Sequence, residues 1–260
     1  GILSIPLGSV PVPLEYIFSP EKAPEYMRII IFNLRLPRIV MAVLIGMMLS
    51  SSGAVVQTVF QNPLADPYII GIAASATFGA VIAFVFDMPD YMYGVIAFFT
   101  CLTSTLLIFK MAKKGNKVNV ATLLIVGIAV SSFLGAFTSF AMYMIGEDSF
   151  KITMWMMGYL GNATWSRVVF LAVPLVFSVS YFYSKRNQLD ALLSGDEEAH
   201  SLGIDVNKLK VKTLTVAALV VAFSVAFSGM IGFVGLIVPH TMRMLLGPSN
   251  SKLLPSTILA

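Results

Sequence analysis

The sequence predicts an all-α, polytopic bundle of membrane-spanning helices, and three observations lead to that fold class. Hydrophobic residues make up 57% of the chain and charged residues 12%, whereas soluble domains carry about 25% charge. Uncharged runs of 19 to 30 residues recur along the chain, and about 20 apolar residues are enough to cross a bilayer core. The hydrophilic segment, residues 185–212, holds 10 of the 30 charged residues.

Composition and motifs exclude several functional classes. The net charge of +4 comes without a continuous basic stripe, so we expect no nucleic-acid partner. A single cysteine, Cys101, cannot form an internal disulfide or a thiolate metal cluster. The chain contains no Gly-Lys dipeptide and therefore no phosphate-binding loop of the Walker A type. We expect no catalytic residues, no cofactor and no resident metal.

The N-terminal part of the chain predicts a surface segment followed by a first span. Prolines at 6, 11, 13, 20 and 24 predict an extended conformation over residues 1–26. Arg35 and Arg38 border the uncharged run 39–65 and should lie at the interface, facing water, anionic lipid or an acidic partner. Gly46, Ser50 and Ala54 recur every fourth residue of that run, a spacing that favours close helix packing over substrate contact.

The next runs, 67–86 and 91–109, predict an antiparallel pair of spans joined at the acidic turn 87–90. The Lys110, Lys113, Lys114 and Lys117 cluster follows immediately, and a lysine cluster beside a span predicts the cytoplasmic side. Our topology places eleven Lys and Arg residues inside and six outside.

A fourth uncharged run, 118–146, carries small residues at intervals of four: Gly127, Ser131, Gly135 and Ser139. This ridge can pack on a neighbouring helix or line a narrow wet path. The segment from Glu147 to Ser166 holds both tryptophans, as expected of an outer interfacial belt, and 168–184 crosses back.

The run from Thr213 to Met242 has 30 residues, which reach about 45 Å as one helix and exceed one crossing of a roughly 30 Å core. One helix plus a half-helix fits best, with the break among Gly229, Gly232 and Gly235. His240, after Pro239, is then expected to be a helix-start residue bonded to backbone.

The hydrophilic segment predicts two short amphipathic helices. Leu189, Leu192 and Leu193 share one face of the first helix. Ser194 and Glu197 have the spacing of a capping box that opens the second, and Gly203 has the position of a left-handed C-terminal cap. Helices this short need a supporting surface, either that of a partner or that of the protein itself.

Four separated stretches resemble one family in the family's order. They are RLPRIVMAVLIGMMLSSSGAVVQTVFQNPLADPYIIGI, WMMGYLGNATWS, LSGDEEAHSLGI and SGMIGFVGLIVPHTMRMLLGP. They are similar to FecCD-type permease subunits of binding-protein-dependent ABC importers for iron-siderophores, haem and cobalamin.

The resemblance implies a type II ABC importer permease in the cell (inner) membrane. Such permeases have ten spans and form homodimers with the path on the two-fold axis. They work with two cytoplasmic ATPase subunits and an extracytoplasmic substrate-binding protein. We expect 1–260 to be one permease domain with seven to eight spans present. The chain begins without an initiator Met and ends within an apolar helix, so we expect a fragment lacking terminal spans.

The resemblance also implies roles for individual residues. Arg35 and Arg38 match the arginines that meet the binding protein, and Asn62 and Leu64 match one cytoplasmic gate. Asn119 and Val120 stand at a second gate, where the family's best-known member has small hydroxyl residues. The hydrophilic segment becomes a cytoplasmic coupling segment. Its coupling residues, which dock in the ATPase, are Ser194, Gly195, Asp196, Glu197, Glu198, Ala199, His200, Ser201, Leu202 and Gly203.

Two other functional classes remain as alternatives. An ion-gradient-driven carrier usually places ionisable residues at mid-membrane, and this chain has them only near span ends. An intramembrane protease would need Ser228 and His240 to meet inside a water-filled cavity.

Overall fold

A computed structural model describes residues 10–13, 15–19, 21, 23–114 and 117–260. Its helices are α1 (Glu15–Phe18), α2 (Glu25–Ile29), α3 (Leu36–Val59), α4 (Ile72–Val85), α5 (Asp90–Ala112), α6 (Val120–Ile145), α7 (Phe150–Met156), α8 (Trp165–Ser184), α9 (Arg186–Ser194), α10 (Asp196–Ser201), α11 (Val206–Ser228), α12 (Val234–Leu246) and α13 (Asn250–Leu259). A short hairpin pairs β1 (Lys113–Lys114) with β2 (Lys117–Val118).

The predicted fold class, an all-α membrane bundle, is confirmed. Within the described residues, five helices are long and apolar enough to cross a membrane, and two shorter apolar helices, α4 and α12, accompany them. The expected number of seven to eight spans is matched only approximately, because α4 and α12 are shorter than a full crossing. The sequence did not predict the small hairpin, which folds the lysine cluster back on itself.

The first long helix starts before the arginine pair and continues through it. A π-helical turn, Ile30–Arg35, joins α2 to α3, so that one apolar helix runs over Glu25–Val59. Pro37 lies at the start of α3, and a proline there cannot donate the usual backbone hydrogen bond. The wider turn before it fits the pattern in which a π-bulge absorbs such a break. The extended segment expected over residues 1–26 is interrupted by the short helix α1 and ends at Glu25, where the long helix begins. Pro6 and Pro20 lie outside the described residues.

The predicted span 67–86 is divided instead of forming one helix. Gly71 has φ +81°, a left-handed conformation that favours glycine, and it separates a 3₁₀ turn, Pro67–Ile70, from α4. The 14 residues of α4 reach only about 21 Å. α4 and α5 nevertheless pack as the antiparallel pair that the sequence predicted.

The structure separates the predicted outer and inner segments into two ends. Asp90, Trp155 and Arg167, which were all predicted outside, line one cleft of about 1550 Å³ together with Ser228. At the other end, the backbone N–H of Val118 donates to the Asn207 side chain over 2.7 Å. The lysine hairpin and the hydrophilic segment therefore lie at the same end, as the topology requires.

The run 213–242 forms one full helix and a half-helix, as predicted. α11 ends at Ser228, Gly229 follows with φ +69°, and α12 begins after Phe233, which has φ +67°. The predicted role of His240 was wrong. His240 lies inside α12, after Pro239 of the same helix, and its Nδ1 atom has no hydrogen-bond partner among the described residues.

The half-helix packs tightly against the buried α3. A Cβ atom added to Gly53 would lie 1.8 Å from the carbonyl oxygen of Gly235. Pro239, inside α12, has no N–H to donate to that carbonyl four residues earlier. The Gly235 carbonyl therefore lacks its usual helical partner and faces α3, so only glycine fits at position 53.

Candidate functional site

The hydrophilic segment forms two short helices, α9 and α10, as predicted. The predicted capping box was wrong, because Ser194 is the last residue of α9 and no side chain caps α10. The break falls at Gly195, whose φ of +127° is a conformation that side-chain-bearing residues rarely adopt. Because glycine can adopt this conformation, α9 extends to Ser194 and α10 follows directly after the glycine.

The predicted C-terminal cap at Gly203 is confirmed. Gly203 has φ +79°, and its N–H donates to His200 O over 2.9 Å. The N–H of Ile204 donates to Ala199 O over 3.2 Å, which completes a Schellman arrangement. α11 begins at Val206, so the last part of the hydrophilic segment belongs to a spanning helix.

The two helices rest on the protein's own core. Leu189, Leu192 and Ala199 are fully buried and belong to one cluster with residues of α3, α11 and α13. The segment therefore finds part of its supporting surface within the chain, which was one of the two possibilities the sequence left open. Because a close-packed contact of this kind is hardly compressible, it can transmit a displacement of the two helices to the bundle.

The outward face of α10 is hydrophilic apart from one leucine. Glu197, Glu198, His200 and Ser201 are exposed, and Leu202 keeps 71% of its surface accessible. Asp196 accepts a 2.6 Å hydrogen bond from the Lys210 ammonium group, which fixes α10 to the start of α11. This arrangement presents acidic groups around a single apolar contact.

The turn after α3 lies beside the hydrophilic segment. Its side chains at the predicted gate, Asn62 and Leu64, are exposed, and Asn62 Oδ1 accepts a 2.9 Å hydrogen bond from Leu64 N. Gln61, with φ +50°, donates from Nε2 to the carbonyl oxygen of Leu192 over 2.6 Å. The sequence missed this contact, although a polar residue at the end of an apolar run was a visible signal.

Asp66 fixes the far end of the same turn. Its carboxylate accepts a 2.7 Å hydrogen bond from Tyr68 N and opens the 3₁₀ turn that precedes Gly71. Burial raises the pKa of Asp66, and the hydrogen bond from Tyr68 N opposes that rise. Hydrogen bonds of Gln61 and Asp66 thus hold the two ends of the turn in place.

At the second predicted gate, Asn119 has a structural task. Its side chain accepts a 3.1 Å hydrogen bond from Thr122 N and caps α6. Asn119 is exposed and Val120 is partly exposed at this end of the molecule. An asparagine here satisfies the helix start as a hydroxyl residue would.

The small-residue ridge of α6 divides into a packed half and an open half. A Cβ atom on Gly71 would lie 3.3 Å from Ser131 Oγ and 3.5 Å from Gly127 O, so the first two ridge residues pack against that turn. Gly135 has open space around it and Ser139 is exposed. The ridge therefore serves packing near the inner end, whereas Gly135 and Ser139 remain open at the surface of the part of the chain that the structure describes.

The two arginines lie at the outer end in different surroundings. Arg38 is exposed and lines a small cavity with Tyr159 and Ile231. The Arg35 side chain is partly buried, and its guanidinium group donates to the carbonyl oxygen of Val10. Trp165 donates from Nε1 to Phe32 O over 2.9 Å, so the predicted aromatic belt lies beside them.

The structure gives no support to a Ser-His pair. The Ser228 hydroxyl donates to the carbonyl oxygens of Ser224 and Gly229, at 2.8 and 3.1 Å. Its hydrogen bonds therefore stay within its own helix terminus and do not reach His240.

Comparisons with known proteins agree with the architecture. The model of the FecCD transport family matches residues 1–260. The chain is 39% identical over 239 residues to a cobalamin import system permease of Halobacterium salinarum, covering 91% of this chain and 64% of the relative. It is 37% identical over 234 residues to a hemin transport system permease of Yersinia pestis, covering 87% of this chain and 70% of the relative.

A solved structure of a metal-chelate type ABC transporter, in an inward-facing conformation, superposes with a TM-score of 0.88 at 32% identity. The superposition covers 99% of this chain and 81% of that chain. In the sequence comparisons, the chain spans about two thirds of the length of the two curated relatives. The expected membrane location is confirmed by these permeases and by the five spanning helices. The chain belongs to the FecCD transport family.

Proposed function

We propose that this chain is the membrane-spanning permease subunit of an ABC importer that moves a metal chelate into the cytoplasm. The proposed cargo is a ferric siderophore, haem or cobalamin; the names of two relatives support cobalamin and hemin, and ferric siderophore follows from the family resemblance. The single observation that carries the coupling part is the exposed face of α10, with Leu202 among Glu197 and Glu198, seated on a buried apolar base.

Hydrolysis of ATP belongs to a separate subunit in this proposal. The chain has no phosphate-binding loop, and the coupling residues 194–203 offer the acidic surface on which a cytoplasmic ATPase docks. Closure of two ATPase subunits would shift α10 as a rigid body, because Leu189, Leu192 and Ala199 fix the pair to the bundle. The permease then responds mechanically and performs no chemistry.

We place the substrate path at the two-fold axis of a homodimer. The open half of the α6 ridge, Gly135 and Ser139, faces away from this chain's own core and can line the path together with its copy. Gly127 and Ser131 would hold the ridge against the Gly71 turn. The exposed or partly exposed gate residues stand at the inner end of the molecule: Asn62, Leu64, Asn119 and Val120.

The outer end receives the binding protein in this proposal. Arg38 is exposed there, and Arg35 lies a single helical turn away within the same long helix. Positive groups at the rim of an interface accelerate the approach of an acidic partner more than they tighten the final complex. The domain expectation, one permease unit over 1–260 with 185–212 as its cytoplasmic coupling segment, belongs to the same proposal.

A co-purification experiment tests the coupling assignment. Replacement of Glu197 and Leu202 by arginine reverses one charge and removes the exposed apolar contact. We expect the ATPase to be lost from the purified complex, while the permease still inserts and stays folded. The amount of ATPase per permease, measured by quantitative immunoblot, is the readout.

The matched control replaces one exposed glutamate and one exposed apolar residue by arginine at the opposite end. Glu147 is exposed and Met157 keeps 73% of its surface accessible, and both lie in the outer segment. Their replacement by arginine should leave the ATPase bound. Normal ATPase recovery with the α10 variant would refute the coupling assignment.

A further inference from the structure

Asp190, on α9, holds the start of α13 through three hydrogen bonds. Its Oδ1 atom accepts from the backbone N and the side-chain Nδ2 of Asn250, at 2.6 and 2.8 Å. Its Oδ2 atom accepts from Ser249 Oγ at 2.9 Å. A carboxylate at a helix N-terminus receives unusually strong hydrogen bonds, because the exposed N–H groups and the helix dipole both favour negative charge.

Asn250 extends this contact into the bundle. The residue is fully buried, and its Oδ1 atom accepts a hydrogen bond from Thr58 Oγ1 of α3 over 3.1 Å. The guanidinium group of Arg243, on α12, lies 3.4 Å from the same Thr58 hydroxyl and is attracted by Asp190. One carboxylate is therefore connected to α3, α12 and α13 through buried polar groups.

A second contact joins α9 to the gate turn. Gln61 Nε2 donates to Leu192 O over 2.6 Å, immediately before the proposed gate residue Asn62. Leu192 lies between Asp190 and the start of α10 in the chain. The contacts of Asp190 and of Leu192 are thus both made by α9, the helix that directly precedes α10.

We infer that Asp190 is a positioning residue that converts movement of α10 into movement of α3, α12 and α13. This inference rests on the proposed function, since it assumes that an ATPase moves α10. Buried hydrogen-bonded groups move together, because separating them leaves an unpaired polar group in the interior. Asp190 lies outside the proposed docking residues 194–203 and outside the proposed gate residues, so its loss should uncouple the ATPase from the substrate path.

The test measures substrate transported per ATP hydrolysed in the assembled transporter, reconstituted in vesicles with its binding protein. We expect Asp190→Ala to lower this ratio about fivefold or more, the lower end of typical coupling between sites. ATPase co-purification and basal ATP hydrolysis should remain close to those of the unmodified complex. Asn187→Ala, at an exposed position on the same helix, should leave the ratio unchanged.

An exchange of the two side chains provides a second test that does not depend on Asp190→Ala folding well. Asn250→Asp alone places two carboxylates in contact and should lower the ratio. The double variant Asp190→Asn with Asn250→Asp moves the charge to position 250, where the Thr58 hydroxyl can still donate to it. We expect the double variant to recover most of the lost coupling.

Two results would overturn the inference: an unchanged ratio in Asp190→Ala, or a double variant no better than Asn250→Asp alone. A failure of the proposed function gives a different result, because the unmodified permease would then recover no ATPase at all.

Discussion

Replacement of Gly53 by alanine should destabilise the permease, although alanine is the better helix former. The added Cβ atom would lie 1.8 Å from the Gly235 carbonyl oxygen and 2.7 Å from its carbon. Real Cβ atoms essentially never approach below 3.0 Å, so α3 and α12 must separate by more than 1 Å at this point. The obstacle is backbone, which cannot rotate away as a side chain could.

The expected magnitude follows from two opposing effects. Forcing extra volume into a packed core costs about 1–3 kcal/mol, and replacing a mid-helix glycine by alanine gains up to about 1 kcal/mol. Because the obstacle at Gly53 is backbone, we take the upper cost of about 3 kcal/mol, and subtracting a gain of about 1 kcal/mol leaves a net loss of about 2 kcal/mol. Gly46 lies in the same helix with nothing within 4 Å of a new Cβ atom, so Gly46→Ala should show only the gain.

The assay compares thermal unfolding of the two variants in the same detergent. A difference of about 2–3 kcal/mol corresponds to roughly 4–12 °C in Tm for a chain of this size. Gly53→Ala should melt lower than the unmodified protein, and Gly46→Ala at or above it. Equal Tm values for the two variants would show that α3 and Gly235 do not pack as closely as the structure shows.

Two further predictions concern the proposed contact surfaces. Gly195→Ala forces a residue with a side chain into φ +127°, which costs about 1–3 kcal/mol. The variant should therefore bind the ATPase roughly tenfold more weakly. Gly203→Asn is the control and should bind the ATPase normally in the same titration, because asparagine tolerates the left-handed conformation at that position. Arg38→Glu should slow association of the binding protein, most strongly at low salt, because exposed charges act over a Debye length. Lys151→Glu, also exposed at the outer end, provides the comparison, and equal association rates for these two variants would contradict the role of Arg38.

Periodicity and charge predicted the large features of the fold. The uncharged runs located α5, α6, α8 and α11, since length and apolarity are what a bilayer requires. The prediction of a helix and a half-helix over 213–242 also holds, because 30 residues fit neither one crossing nor two. The shared end of the lysine hairpin and the hydrophilic segment followed from charge asymmetry alone.

Features that depend on three-dimensional contacts were missed or wrong. The stripe of Gly46, Ser50 and Ala54 predicts a packing face of α3, and Ser50 and Ala54 are buried as predicted. Gly46, however, meets open space, and the closest approach is at Gly53. Spacing predicts Ser194 as a helix cap, although the unusual backbone of Gly195 lets α9 run through it. Spacing identifies neighbours within one helix, but the partner across an interface depends on residues far away in the sequence.

The polar contacts of Asp190 illustrate the same limit. Asp190 and Asn250 are separated by 60 positions, and neither belongs to a motif with an expected spacing. In the sequence Asp190 is only one of five acidic residues in the hydrophilic segment. Only the folded chain distinguishes it from Glu197 and Glu198, which are exposed to solvent.

Labelling of single cysteines from each side of the membrane tests the central claim most directly. Glu198→Cys and Lys113→Cys lie at the end assigned to the cytoplasm, and Tyr159→Cys lies at the other end. With a membrane-impermeant maleimide, the first two should label only in inverted vesicles and the third only in right-side-out vesicles, while the buried Cys101 stays unlabelled. Labelling of Glu198→Cys and Lys113→Cys from opposite sides would contradict the whole account of coupling.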